Sequence, residues 1–163
     1  MKVNTPYTFS TIGQDSHKFE PQESQKPLML GGIKISGCVG LMGNSDADVV
    51  LHAITNAISG ATGVNILGKI ADDLCKSGIT DSRAYLTKAL EFLGEKKIVH
   101  VSITLEGKRP KMFEHISMVR SSIASLLGIN EDSVGFTATT GEELTSCGRG
   151  EGLSVFAILT LMN

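Results

Sequence analysis

The sequence predicts one layered domain, α+β or α/β in class, in which strands and helices interleave around a sheet. Three observations carry this. The chain has 163 residues, 41% hydrophobic and 20% charged, which suits one ordinary domain with a real core, spanning 1–163. Short β-branched runs alternate with stretches whose apolar residues recur at helical spacing. Every apolar run is interrupted by polar residues or Gly before the roughly 18 residues of a membrane span, so no membrane partner is expected.

Taken in order, Tyr7 to Ile12 reads as a strand that runs into Gly13-Gln14-Asp15-Ser16-His17. A polar loop over 20–27 precedes Leu28 to Ile35, read as a hairpin turning on Gly31 and Gly32. From Asp46 to Ala61, the residues Ala47, Val50, Leu51, Ile54, Ala57, Ile58 and Ala61 follow helical spacing. Ser45 with Asp48 resembles a capping box at its start. Residues 62–80, rich in Gly and Asp, read as irregular. A second helix begins near Thr80-Asp81-Ser82, turns Tyr85, Leu86, Ala89, Leu90 and Leu93 inward, and ends at Gly94. Ile98 to Leu105 is a strand, and a third helix covers about Phe113 to Leu127, with Ile116, Val119, Ile123 and Leu126 inward. Ser133 to Thr139 and Leu153 to Leu161 are the last strands.

Charge and cysteine content narrow the function. Lys plus Arg total 15 against 17 for Asp plus Glu, a formal charge of -2, so no nucleic-acid footprint is expected. Cys38, Cys75 and Cys147 are odd in number and far apart, which argues for reduced thiols and against a disulfide framework. The opening Met-Lys-Val-Asn-Thr-Pro has neither an apolar leader core nor an Arg-rich transit pattern, so a cytoplasmic location is the expectation.

Asp15 and His17 are two apart in an extended segment, so a carboxylate and an imidazole point the same way. With His52 as a third donor, the set matches catalytic zinc, which keeps one coordination position open. Asp48, one helical turn before His52, is either an N-cap or a partner for its ring, and the cap is the favoured reading. Thr139, Thr140 and Glu142 follow a strand in a Gly-containing loop, where hydroxyls and N–H groups suit phosphate and the acid suits a hard cation. Arg109, Pro110 and Lys111 form a dense basic turn, read either as solvated or as a phosphate or nucleotide contact. Arg149, with Glu151 beyond it, reads as an ion pair or an anion site. His100 and His115 are assigned to packing or surface.

Together these motifs resemble the 2-C-methyl-D-erythritol 2,4-cyclodiphosphate synthase family. The resemblance runs from Ile12 to the C-terminus. It rests on Gly-Gln-Asp-Ser-His-Lys-Phe, Leu-Gly-Gly-Ile from Leu30, and Asn-Ser-Asp-Ala-Asp-Val-Val-Leu-His-Ala from Asn44. Asp81-Ser82-Arg83, Pro110-Lys111-Met112, the Ala138 to Glu142 run and Gly148 to Gly152 follow in the family's order. It implies an α+β domain of two layers, a mixed sheet packed on helices, assembled as a homotrimer with active sites between subunits.

The resemblance further implies Asp15, His17 and His52 as zinc ligands and Glu142 as ligand of a second divalent cation, Mg²⁺ or Mn²⁺. Asn44 and Thr140 become the catalytic positions. Substrate contacts fall to Asp15, Ser16, His17, Asn44, Ser45, Gly68, Asp73, Thr139, Thr140, Glu142, Ser146 and Arg149. Gly107 to Phe113, including Arg109, Pro110, Lys111, Met112 and Phe113, would line a cytidine pocket, and Ala138 is a further substrate contact. Arg149 and Glu151 would face a central cavity able to hold an isoprenoid diphosphate. The implied reaction closes a cyclic diphosphate and expels CMP. Two positions depart from the family: Asn44 stands where it has His, and Ile66 where it has a sugar-binding Asp, leaving Asn65, Asp72 or Asp73 as replacements. A metal-bearing trimer that only binds a cytidine nucleotide or isoprenoid diphosphate is the rival expectation.

Overall fold

A computed structural model describes residues 6–163; the N-terminal run read above as leader-free lies mostly outside them, at 1–5. Among the described residues, six strands and four α-helices form: β1 (Thr8–Lys18), β2 (Pro27–Leu30), β3 (Ile33–Val39), α1 (Val49–Thr62), α2 (Lys69–Lys76), α3 (Ser82–Leu90), β4 (Lys97–Glu106), α4 (Ile116–Leu127), β5 (Val134–Thr139) and β6 (Gly152–Met162). The main sheet runs in the order β1-β6-β4-β5, and β2 and β3 form a separate hairpin. β1 and β4 pair antiparallel with β6, whereas β4 and β5 are parallel. The domain is therefore α+β with a mixed sheet, and α4 is the crossover that a parallel pair requires.

Alternation along the strands sorts the sheet into two faces. Val101, Ile103, Leu105, Val155, Ala157 and Leu159 are buried on the face that packs against the helices. Ile12, Phe156 and Ile158 are exposed, with Ile12 opposite Ile158 in the β1–β6 register. α1 is buried nearly all round, so it is the central helix. It can sit this close to β1 because position 13 lacks a side chain: a Cβ there would lie 2.0 Å from the Ala53 carbonyl oxygen.

Apart from the end of α3 and the start of α4, which shift by about three residues, three features differ from the sequence expectation. β1 continues through Lys18 in full register with β6, so Asp15 and His17 lie within the strand rather than after it. α1 starts at Val49 with Asp48 as its N-cap, while the Ser45 hydroxyl accepts from Ala47 N–H instead. Asp48 is fully buried, and its carboxylate accepts four backbone N–H bonds, from Gly31, Gly32, Val50 and Leu51. That one side chain ties the β2–β3 turn to the start of α1. The third difference is α2, in the segment read as irregular: Ile70, Ala71 and Leu74 form its apolar side, but its eight residues are too few for the period to stand out.

Candidate active site

β1 presents Asp15 and His17 on the same side as Gly13, toward α1, and α1 brings His52 against them. Asp15 Oδ2 lies 2.9 Å from His17 Nε2 and 2.9 Å from His52 Nδ1, and the two ring nitrogens are 3.3 Å apart. Zinc bonds of about 2.0–2.1 Å in a tetrahedron place ligand atoms about 3.3 Å apart, so this O, N, N set fits the metal with little movement. His17 donates Nδ1–H to the Met42 carbonyl at 2.7 Å, which aims Nε2 at the cluster. His52, predicted on a polar helix face, is buried at 7% exposure; its Nε2 meets Ser82 Oγ at 2.9 Å and not Asp48. Among the described residues these three form the single metal-competent His, Cys, Asp or Glu cluster.

The electrostatics agree with a site that wants a cation. Burial works against ionisation of Asp15, yet the hydrogen bonds from His17 and His52 outweigh it and hold the carboxyl well below its usual range. His17 is pushed up, chiefly by its hydrogen bond to Asp15.

The cluster opens into a cavity of about 400 Å³, whose lining includes Asn44, Ser45, Asn56, Gly68, Asp72 and Tyr85. This brings together the predicted Asp15, His17, His52, Asn44, Ser45 and Gly68. Asp73 is not in the lining and pairs with Lys69 at 2.6 Å, while its neighbour Asp72 is in it. Ile66 is buried in the core at 1% exposure and Asn65 is exposed outside the cavity, so Asp72 is the acid at hand.

A second pocket is separate from the first in this chain. Gly107, Pro110, Lys111, Met112, Phe113, Ala138, Thr139 and Thr140 line it, matching the predicted cytidine side. Arg109 is not in that lining: its guanidinium stacks over Phe19 at 4.5 Å and donates to Gln22 at 3.1 Å. Glu142 is exposed just beyond Thr140, with left-handed backbone at φ 44 and ψ 40 between Gly141 and Glu143, both also at positive φ. Glu142 and Glu143, the two non-glycine residues of that run, concentrate strain where a functional loop is expected. Ser16 and Ser146 line a third recess together with Glu151. Arg149 bonds Glu151 at 3.1 Å and Ser146 at 3.0 Å, the ion-pair alternative of its reading.

A family profile, that of the YgbB family, matches residues 9–162. The chain belongs to the YgbB family. Among curated proteins, it is 51% identical over 153 residues to 2-C-methyl-D-erythritol 2,4-cyclodiphosphate synthase of Chlamydia muridarum, covering 93% of this chain and 86% of that one. Among solved structures, the bifunctional IspDF of Campylobacter jejuni superposes with a TM-score of 0.85 at 30% identity, over 97% of this chain and 43% of that longer one. The Plasmodium falciparum IspF complex with CDP superposes at 0.79 and 26% identity, over 94% of this chain and 95% of that one.

Sequence reading of this YgbB-family chain missed several residues that the fold brings to the site. Asn56 is one helical turn after His52, so i to i+4 spacing was a usable signal. Ser82 sits inside a motif that was noted without a role. Nothing local in the sequence placed Tyr85 or Cys75 in the cavity, because they arrive from α3 and α2.

Proposed function

We propose that the chain converts 4-diphosphocytidyl-2-C-methyl-D-erythritol 2-phosphate to 2-C-methyl-D-erythritol 2,4-cyclodiphosphate with release of CMP, a phosphorus-oxygen lyase step of non-mevalonate isoprenoid biosynthesis. The observation that carries this reading is the convergent Asp15, His17, His52 cluster at the mouth of a polar cavity, in a chain half identical to a synthase of that name. An oxygen of the 2-phosphate attacks the β-phosphorus, and the bond from that phosphorus to the CMP oxygen breaks. No protein nucleophile is needed, so positioning and charge neutralisation carry the barrier reduction. Zinc on Asp15, His17 and His52, and Mg²⁺ or Mn²⁺ on Glu142, would supply that neutralisation.

The chain's own groups do the rest. The Asn44 amide and Ser45 hydroxyl, beside the cluster, donate to diphosphate oxygens. Asp72 accepts from the methylerythritol hydroxyls, replacing the acid absent at Ile66. The Gly107 to Phe113 turn and Ala138 hold cytidine, while Thr139 and Thr140 donate to its diphosphate. The cluster and the cytidine side line separate pockets of one chain. A complete site therefore joins the metal side of one subunit to the cytidine side of the next, in a homotrimer. The exposed Ile12, Phe156 and Ile158 face supports burial against neighbouring copies. Arg149 and Glu151 would then face the central cavity and an isoprenoid diphosphate. Residues 1–163 act as one cytoplasmic domain, and among the described residues no helix is long and apolar enough to cross a membrane.

Incubating the zinc-loaded protein with this substrate and following phosphorus NMR tests the reading. CMP and the cyclic diphosphate should appear together. A zinc-loaded trimer that binds CMP without turnover would overturn it in favour of a binding module, the reading that Asn44 and the buried Ile66 favour.

A further inference from the structure

We propose that Ser82 and Asp46 are positioning residues that present the Nδ1 lone pair of His52 to the metal. The inference rests on the metal reading of the cluster and assigns its function to a serine and an acid outside the ligand set. A neutral imidazole carries one hydrogen, and the partner of one nitrogen decides what the other offers. His52 Nε2 lies 2.9 Å from Ser82 Oγ, and both side chains are buried. Ser82 Oγ also contacts Asp46 Oδ1, while Asp46 Oδ2 accepts the Ser82 backbone N–H at 3.1 Å. A carboxylate only accepts, so the single hydroxyl hydrogen of Ser82 goes to Asp46. The serine oxygen is then an acceptor that holds a hydrogen on His52 Nε2. Nδ1 faces Asp15 Oδ2 at 2.9 Å and His17 Nε2 at 3.3 Å, so a metal ion there would replace the hydrogen that Asp15 accepts and meet the Nδ1 lone pair.

Asp46 is itself held for this task. Its own N–H donates to Thr80 at 2.8 Å, which joins the loop before α1 to the residues before α3. The turn that carries it puts Ala47 at φ 54, a left-handed conformation retained by a non-glycine residue. Asp48 cannot serve instead, because its carboxylate is occupied by the four backbone N–H groups named above.

Two measurements on the chain test this: calorimetric titration with Zn²⁺, and nitrogen-proton NMR of the His52 ring in the zinc-loaded protein. The parent should show an Nε2–H protected from solvent exchange. Ser82→Ala should speed exchange of that hydrogen and weaken zinc binding by about 10–100-fold, the range typical of lost outer partners of metal ligands. Ser82→Thr should restore both. If Ser82→Ala does not fold, Asp46→Ala asks the same question, because it frees the serine hydrogen to turn toward Nε2 and should weaken zinc binding in the same range. Zinc affinity within about twofold of the parent, with exchange of the Nε2–H unchanged, overturns the proposal, since a merely structural serine would lower stability without touching either. A parent chain that binds no zinc overturns instead the metal reading on which the proposal stands.

Discussion

In the metal-free chain, Asp15 and His17 hold one another's charge, and this sets a pH dependence. The folded pKa of His17 is raised above 6.5, so its contribution to stability is complete below that value and is lost as pH rises through the raised pKa. Zinc on the proposed ligand set would displace the same proton. We therefore expect zinc affinity to climb by up to about tenfold per pH unit across that window. Over the same window, the melting temperature of the chelator-treated protein should fall; melts with and without chelator would check this. Asp15 contributes oppositely: its lowered pKa gives stability present above 3.8 and lost in strong acid. Removing a ligand outright, as in His52→Ala, should abolish both zinc retention and turnover, and an unchanged zinc content measured by metal analysis would refute the ligand set. Asn44 donates a hydrogen bond but carries no charge, so Asn44→His should raise kcat about tenfold below neutral pH, as charged donors are roughly twice as strong. Steady-state kinetics with unchanged zinc affinity would identify the gain as one in charge.

Elements matter here as mounts for those side chains. Gly13 allows β1 and α1 to touch, and that contact sets the distance from Asp15 and His17 to His52. Gly13→Ala forces a Cβ against backbone atoms of Ala53 and Ala57, which cannot swing away as a side chain would. We expect a loss above about 3 kcal/mol in denaturant unfolding, together with lost zinc binding. Asp48 is the corresponding joint between α1 and the β2–β3 turn. Asp48→Asn substitutes an NH₂ for an oxygen that accepts backbone N–H bonds, and should cost about 2–3 kcal/mol by the same measurement. The periodicity of α1 made that helix legible, and alternation made the core face of β4 and β6 legible. α2 escaped because its apolar side is too short to show a period, while the cap of α1 was legible in Asp48, with Ser45 too early in the chain to share it.

At the scale of the whole molecule, the separation of the two pockets leads to a complementation test. In the proposed cyclic trimer each interface joins two different patches, so on that reading His52→Ala spoils only the metal side and Thr140→Ala only the cytidine side. Neither variant alone should turn over substrate. Equal mixtures refolded together should recover about a quarter of parental activity, because one interface in four then pairs two intact sides. Absence of any recovery in mixed trimers, verified by mass, would place both sides of the site in one subunit.

The chemical inventory lay in the sequence by itself: a D-x-H pair on an extended segment, a histidine on an amphipathic helix, a hydroxyl-rich loop and a basic turn. Spacing of two and of four residues determines which neighbours share a face, so those local relations could be read directly. Relations between elements could not. Ser82 lies 30 residues from His52, and Asp72 rather than Asp73 lines the cavity because the pose of α2 turns one acid to the site and leaves the other with Lys69. Only packing decides such choices, because the energy of burying α1 against β1 and α3 depends on the whole core and not on any segment of it.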